Sequence, residues 1–116
     1  MVEGPELKNV PKLKKELRRL LIYSKLLTLA TLNQYEKDGY PYRYLREELD
    51  MPEGALKSNI NYLEKHAYIE KDKEVVDSRS DEVIYRISQK GITALVEIMN
   101  WTKDLQNFIG NKKEGA

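Results

Sequence analysis

A chain of 116 residues, 41% hydrophobic and 34% charged, has the size and composition of one globular domain with a modest core. The absence of cysteine excludes disulfides, thiol redox sensing and cysteine metal sites. No apolar run reaches the length of a membrane span and the N-terminus lacks a signal-peptide core, so the expectation is a cytoplasmic protein with no membrane partner. The formal net charge is only +1, which gives no chain-wide basic footprint for a nucleic acid.

The first predicted element is a helix over residues 6–23. Pro11 suits a first helical turn, and Val10, Leu13, Leu17, Leu20 and Ser24 recur at alternating spacings of three and four, the seam of a helix that pairs with another. Its outer face carries Lys8, Lys12, Lys14, Lys15, Arg18, Arg19 and Lys25 against Glu6 and Glu16. That face reads either as an ordinary solvated surface or as a contact to a DNA backbone. Ser24 is placed to cap a second helix over residues 25–36, apolar nearly all round through Leu26, Leu27, Leu29, Ala30 and Leu32 and so expected to be buried on several sides. Lys37, Asp38 and Gly39 end it, and Tyr40 can add a short strand.

The next two elements are the centre of the chain. Tyr42, Leu45 and Leu49 form an apolar stripe on a short helix, and Leu56, Ile60 and Leu63 form another on the helix over residues 53–66. Only Asp50 and Met51, then Pro52, separate them, so the helices must cross steeply in a helix-turn-helix. The opposite face of the second helix is small or polar: Glu53, Gly54, Ala55, Lys57, Ser58 and Asn61. In a helix-turn-helix this is the face that enters a major groove, where Gly54 permits close backbone approach and Asn61 can pair bidentately with adenine. The other reading is an ordinary exposed polar face. Arg43 and Tyr44 on the preceding helix are candidates for phosphate contact.

Residues 68–73 and 83–87 alternate enough to be strands, joined by a polar wing over residues 74–82. Lys71 and Lys73 are further phosphate candidates. Across residues 70–82, six acids (Glu70, Asp72, Glu74, Asp77, Asp81, Glu82) outnumber three bases (Lys71, Lys73, Arg79), which disfavours phosphate. A long helix follows over residues 89–109, with one stripe of Ile92, Leu95, Met99 and Thr102 and another of Ile98, Trp101, Leu105 and Phe108. One stripe can cover the chain's own core; the other calls for a partner. Leu13, Leu17, Leu20, Ile98, Trp101, Leu105 and Phe108 are therefore the expected dimer interface.

Three segments in order, Leu63-Glu64-Lys65-His66-Ala67-Tyr68-Ile69, Asp77-Ser78-Arg79-Ser80 and Ile87-Ser88-Gln89-Lys90-Gly91, resemble the winged-helix regulators of the MarR type. Pro52-Glu53-Gly54-Ala55-Leu56 is similar to the corresponding opening in small archaeal winged-helix regulators. The resemblance covers residues 24–95. It implies that Arg79 enters the minor groove with Asp77 orienting it, against which stands a plain turn stabilised by the Asp side chain. Two departures stand out. Met51 occupies the position of a Ser or Thr cap, and Ala67 replaces a glycine.

The expectation is thus an α+β, mainly α, single-domain winged helix-turn-helix (residues 6–23, 24–88 and 89–109 forming N-terminal helix, core and C-terminal helix). It would be a homodimer bound to double-stranded DNA as a transcriptional regulator, with no cofactor and no metal. A winged helix serving protein–protein contact in a transcription or replication assembly is the alternative, and a small-molecule effector stays open. His66, the one histidine, reads as a solvated helix-end residue, and Glu47 and Glu48 diverge on their helix, so no enzyme site can be assembled.

Overall fold

The computed structural model describes residues 10–35, 38–71, 75–76 and 81–111. In order these form α1 (Lys15–Arg18), α2 (Tyr23–Gln34), β1 (Tyr40–Pro41), α3 (Tyr42–Leu49), α4 (Glu53–Lys65), β2 (Ile69–Lys71), β3 (Val75–Val76), β4 (Asp81–Glu82), β5 (Ile84–Ile87) and α5 (Gln89–Gly110). The α+β winged helix-turn-helix expected from the sequence is the fold observed.

The N-terminal helix is shorter than its spacing implies. Among the described residues only Lys15–Arg18 are helical; residues 10–14 are not, and the chain turns again before Ile22, which is extended. Arg18 stabilises the bend by donating from Nε to the carbonyl of Leu13 (2.9 Å). Leu13, Leu17 and Leu20 are 7%, 3% and 0% exposed, inside the chain's own core. The subunit seam assigned to them is therefore corrected. A three-and-four spacing marks an apolar face without saying what covers it, and here the covering is intramolecular.

Helix α2 is central, touching α3, α4, α5 and β5, as its all-round apolar character requires. Ser24 is not its cap: the helix starts two residues earlier than expected, at Tyr23, with Ile22 at the N-cap and no side-chain cap bond. Gly39 closes the turn after α2 with φ +75°, and a Cβ there would meet Ile84 Cγ2 at 2.6 Å. Glycine is thus required both by backbone and by space.

The sheet has the order β1-β5-β2, all antiparallel, with Tyr40 opposite Tyr85, and Ile69, Glu70 and Lys71 opposite Ile87, Arg86 and Tyr85. Tyr40 thus supplies the third strand anticipated for it. A separate pair, β3 and β4, continues the hairpin outward, with Val75 opposite Glu82 and Val76 opposite Asp81. The hairpin expected as one pair of strands is therefore divided into two successive ladders.

Ser88 caps α5, its hydroxyl accepting from Gly91 N at 3.0 Å. Only Gly91, Ala94 and Ile98 of this helix are buried, all in its first half. Twenty-two residues span about 33 Å, so the second half runs well past the point where the core ends. Ile98, expected to face a partner, is 3% exposed and belongs to the chain's own core, a second correction to the interface.

Candidate nucleic-acid interface

The crossing of α3 and α4 is fixed by a tight link. Asp50 ends α3 in the left-handed region (φ 49°), its N–H bonded back to the carbonyls of Arg46 and Glu47. Met51 N then donates to Arg46 O, and Pro52 starts α4 with no side-chain cap. Met51 does more than lack a capping hydroxyl. Its side chain is buried, and its Sδ accepts from Nδ2 of Asn59 at 3.3 Å. Buried Asn59 also accepts from the hydroxyl of Ser24 on α2 at 3.4 Å. These side-chain contacts join α2, the turn and α4. Sequence reasoning missed Asn59 because an Asn following the polar-face Ser58 looks solvated; its place three residues after Leu56 and four before Leu63, on the buried side, is the signal.

Helix α4 buries Leu56, Asn59, Ile60 and Leu63. Glu53, Gly54, Ala55, Lys57, Ser58 and Asn61 are all exposed on the other side, where the spacing puts them. A Cβ at Gly54 would meet nothing within 4 Å, so this end of the helix presents bare backbone outward. Glu53 differs from its neighbours: its carboxylate pairs with Arg46 on α3 at 2.9 Å, both side chains more than half exposed. A pair in that much water contributes about 0–1 kcal/mol and mainly keeps Glu53 from standing alone on the open face of α4.

A row of rings joins the end of α2, β1 and the start of α3. Tyr35 and Tyr40 are 4.5 Å apart, Tyr40 and Tyr44 are 6.4 Å apart, and the Arg43 guanidinium lies 4.7 Å from the Tyr44 centroid. Arg43 and Tyr44 are both exposed, so two of the expected phosphate contacts are brought together at the start of α3. Tyr42 turns inward, edge to face with Tyr85 at 6.2 Å. Burial raises the Tyr42 hydroxyl above its usual value, with the Glu53 carboxylate adding to the rise and Arg46 opposing it. Towards the end of α4, Lys25 of α2 stands 4.6 Å from the Tyr62 ring, which packs against His66 at 4.3 Å.

Lys71 is exposed at the end of β2. Lys73, Asp77 and Arg79 lie outside the described residues, and with them the wing tip. Among the described residues no cluster of His, Asp and Glu is placed to hold a metal ion, and no helix is long and apolar enough to cross a membrane.

The remaining interface candidates lie on α5. Trp101 and Leu105 are half-buried, Phe108 is 38% exposed and Ile109 62%. Successive spacings of four, seven and four put Leu105 and Ile109 on the same side as Ala94 and Ile98. The core stripe therefore continues beyond the core. Against the start of this overhang, Pro11, Lys12, Leu13, Arg18, Leu21 and Trp101 line a cavity of about 440 Å³.

An antiparallel three-stranded sheet with a hairpin wing, joined to a tightly linked helix pair with one open polar face, defines the winged-helix class. The pattern describing winged helix DNA-binding domains matches residues 25–107, and the chain belongs to that family. No curated protein matches the sequence. Among solved structures, the fold is similar to a transcriptional regulator homologue from Pyrococcus horikoshii OT3 (21% identity, 84% of this chain and 88% of that one, TM-score 0.62). It is also similar to MepR of Staphylococcus aureus in complex with DNA (16% identity, 87% and 73% covered, TM-score 0.60). A PadR-like transcription factor of Bacteroides fragilis shares it too (15% identity, 83% and 97% covered, TM-score 0.61).

Proposed function

We propose that this protein is a homodimeric transcriptional regulator that binds double-stranded DNA sequence-specifically. The observation that carries the reading is the outward face of α4: exposed, small or polar, with bare backbone at Gly54, on the second helix of a helix-turn-helix. Helix α4 would lie in the major groove, with Asn61 and Ser58 at base edges and Lys57, Arg43, Tyr44, Lys71 and Lys73 at phosphates. The wing would reach the minor groove through Arg79, oriented by Asp77. The outer stripe of α5, from Trp101 through Leu105 and Phe108, would pair two copies and set the recognition helices about 34 Å apart, one turn of duplex. A small-molecule effector, which the sequence left open, would find space in the cavity beneath Trp101.

The net charge of +1 and the six acids of residues 70–82 favour a second reading, in which the same polar face of α4 meets a protein in a transcription or replication assembly. A titration of fluorescent mixed-sequence duplex at two salt concentrations separates the two. DNA binding requires affinity to fall with salt as counterions are released, by a shallow slope equivalent to about three to five phosphates per subunit. No binding at low salt would leave the protein-contact reading.

A further inference from the structure

The two family-like segments on either side of the wing, residues 63–69 and 87–91, meet in space. Three successive carbonyls in the turn just past α4, those of His66, Ala67 and Tyr68, all accept from the start of α5. Lys90 Nζ reaches His66 O at 2.8 Å, the Ser88 hydroxyl reaches Ala67 O at 2.7 Å, and Ser88 N reaches Tyr68 O at 3.0 Å. The same Ser88 hydroxyl accepts from Gly91 N, so one oxygen both caps α5 and holds the end of α4. The Lys90 ammonium also lies 4.7 Å from the centre of the Tyr68 ring. Gly91 completes the joint: a Cβ there would collide with the carbonyl oxygen of Tyr68, so only glycine lets α5 start this close. The left-handed backbone at Ala67 (φ 64°) lies in the middle of this run of carbonyls. The carbonyls left open by the last turn of α4 are met locally, Tyr62 O by His66 N, Leu63 O by Tyr68 N and Glu64 O by Ala67 N, and the three carbonyls that follow are met by the start of α5.

We infer that Ser88 and Lys90 are positioning residues for DNA binding, which make α4 and α5 one rigid body. This rests on the proposed reading that α5 pairs two copies and α4 enters the groove. Under that reading the pairing of α5 fixes not only how far apart the recognition helices stand but the angle of each. One base pair of altered spacing turns a half-site by roughly 35° about the duplex axis, which a rigid joint cannot follow.

The test has two arms. The chain has no cysteine, so cysteines placed at exposed Lys65 and Gln106 carry spin labels cleanly, in dimers diluted with unlabelled chain. The parent should give one narrow label-to-label distance. Lys90→Met should broaden it with little change in melting temperature, Ser88→Ala should broaden it further, and Ser88→Thr, which keeps the hydroxyl, should restore the parent distribution. In the second arm each variant selects duplexes from a library of roughly 30 random base pairs, about three helical turns. The parent should recover one half-site spacing, and Lys90→Met and Ser88→Ala should recover several, with affinity for unselected duplex unchanged within about threefold. Distances as narrow in both variants as in the parent, or a single spacing recovered by all, overturn the inference. A parent that selects no duplex removes the DNA reading instead, and the label distances then still decide whether the joint is rigid.

Discussion

The side-chain amide of Asn59 donates to the thioether of Met51, 3.3 Å away, inside the turn that sets α4 against α3. Both residues are buried, and sulfur is a weak acceptor, so the amide is held at this point chiefly by packing and by Ser24 on its other side. Met51 therefore acts as a core residue whose sulfur satisfies a polar neighbour, in a position where a cap was expected.

Met51→Ser, which restores the capping residue type, should destabilise the protein. Pro52 occupies the N-cap, so a hydroxyl at 51 stands one residue too early to serve it, while the missing side chain leaves a void. Truncations of this kind cost about 2–5 kcal/mol, and urea unfolding should show a loss of at least the lower figure. An unchanged midpoint would mean that the serine caps the helix after all.

Two substitutions at the joint between α4 and α5 should move stability in opposite directions. Ala67→Gly relieves a left-handed alanine at φ 64° and should gain about 1 kcal/mol, a rise in melting temperature of roughly 4 °C. Gly91→Ala forces a Cβ against the Tyr68 carbonyl and should cost about 3 kcal/mol or more, since backbone rather than a flexible side chain must yield. Thermal melting of each variant by circular dichroism measures both.

Stability should be lost at alkaline pH. Burial lifts the hydroxyls of Tyr68 and Tyr85 above the ordinary value of 10.0, with the carboxylates of Glu16 and Glu97 adding to the first and that of Glu64 to the second. The fold thus favours the neutral phenol. This contribution is fully present below pH 10 and is lost as pH rises through the raised folded-state values, where the unfolded chain has already released its protons. Melting temperatures between pH 8 and 11 should be level at first and fall above 10. Tyr68→Phe should flatten that fall.

On the groove face, Gly54→Ala should leave the fold intact or gain up to about 1 kcal/mol, because a methyl group there meets nothing and alanine is the better helix former. DNA affinity should nevertheless drop if the duplex approaches this backbone. Under the proposed docking, in which Asn61 meets a base edge, Asn61→Ala should relax sequence preference there by about 1–3 kcal/mol. Lys57→Ala should weaken binding to every sequence and reduce the salt slope by about one. Arg79→Ala should weaken binding most on duplexes with A·T-rich flanks. Parent-like binding by both Lys57→Ala and Arg79→Ala would sink the docking scheme.

The dimer should depend on the overhang of α5. Leu105→Glu together with Ile109→Glu places two charges on the stripe that runs past the core, and sedimentation should shift the protein to monomer at micromolar concentration. These side chains contribute little to the chain's own core, so the melting curve of the monomer should stay cooperative. A parent that sediments as a monomer would remove the proposal.

The elements and most of their faces are legible in the chain alone. Apolar spacing along α3, α4 and α5 and the alternation of β2 and β5 are properties of neighbouring residues, so the helix-turn-helix, the winged sheet and the exposed side of α4 follow from local pattern. Gly39 and Gly91 are likewise readable as a helix end and a helix start. What local pattern cannot contain is the identity of whatever covers a face. Leu13, Leu17, Leu20 and Ile98 have the spacing of a subunit seam and are covered by their own chain, because bending after Arg18 brings the first three onto the core instead of leaving them on a straight helix. Leu105, Phe108 and Ile109 extend the apolar pattern of α5 past that core, because the core is shorter than the helix. The partners of polar groups were equally out of reach. That Asn59 meets Met51, that Glu53 meets Arg46 and that Ser88 holds Ala67 depends on contacts between elements, which only tertiary packing fixes.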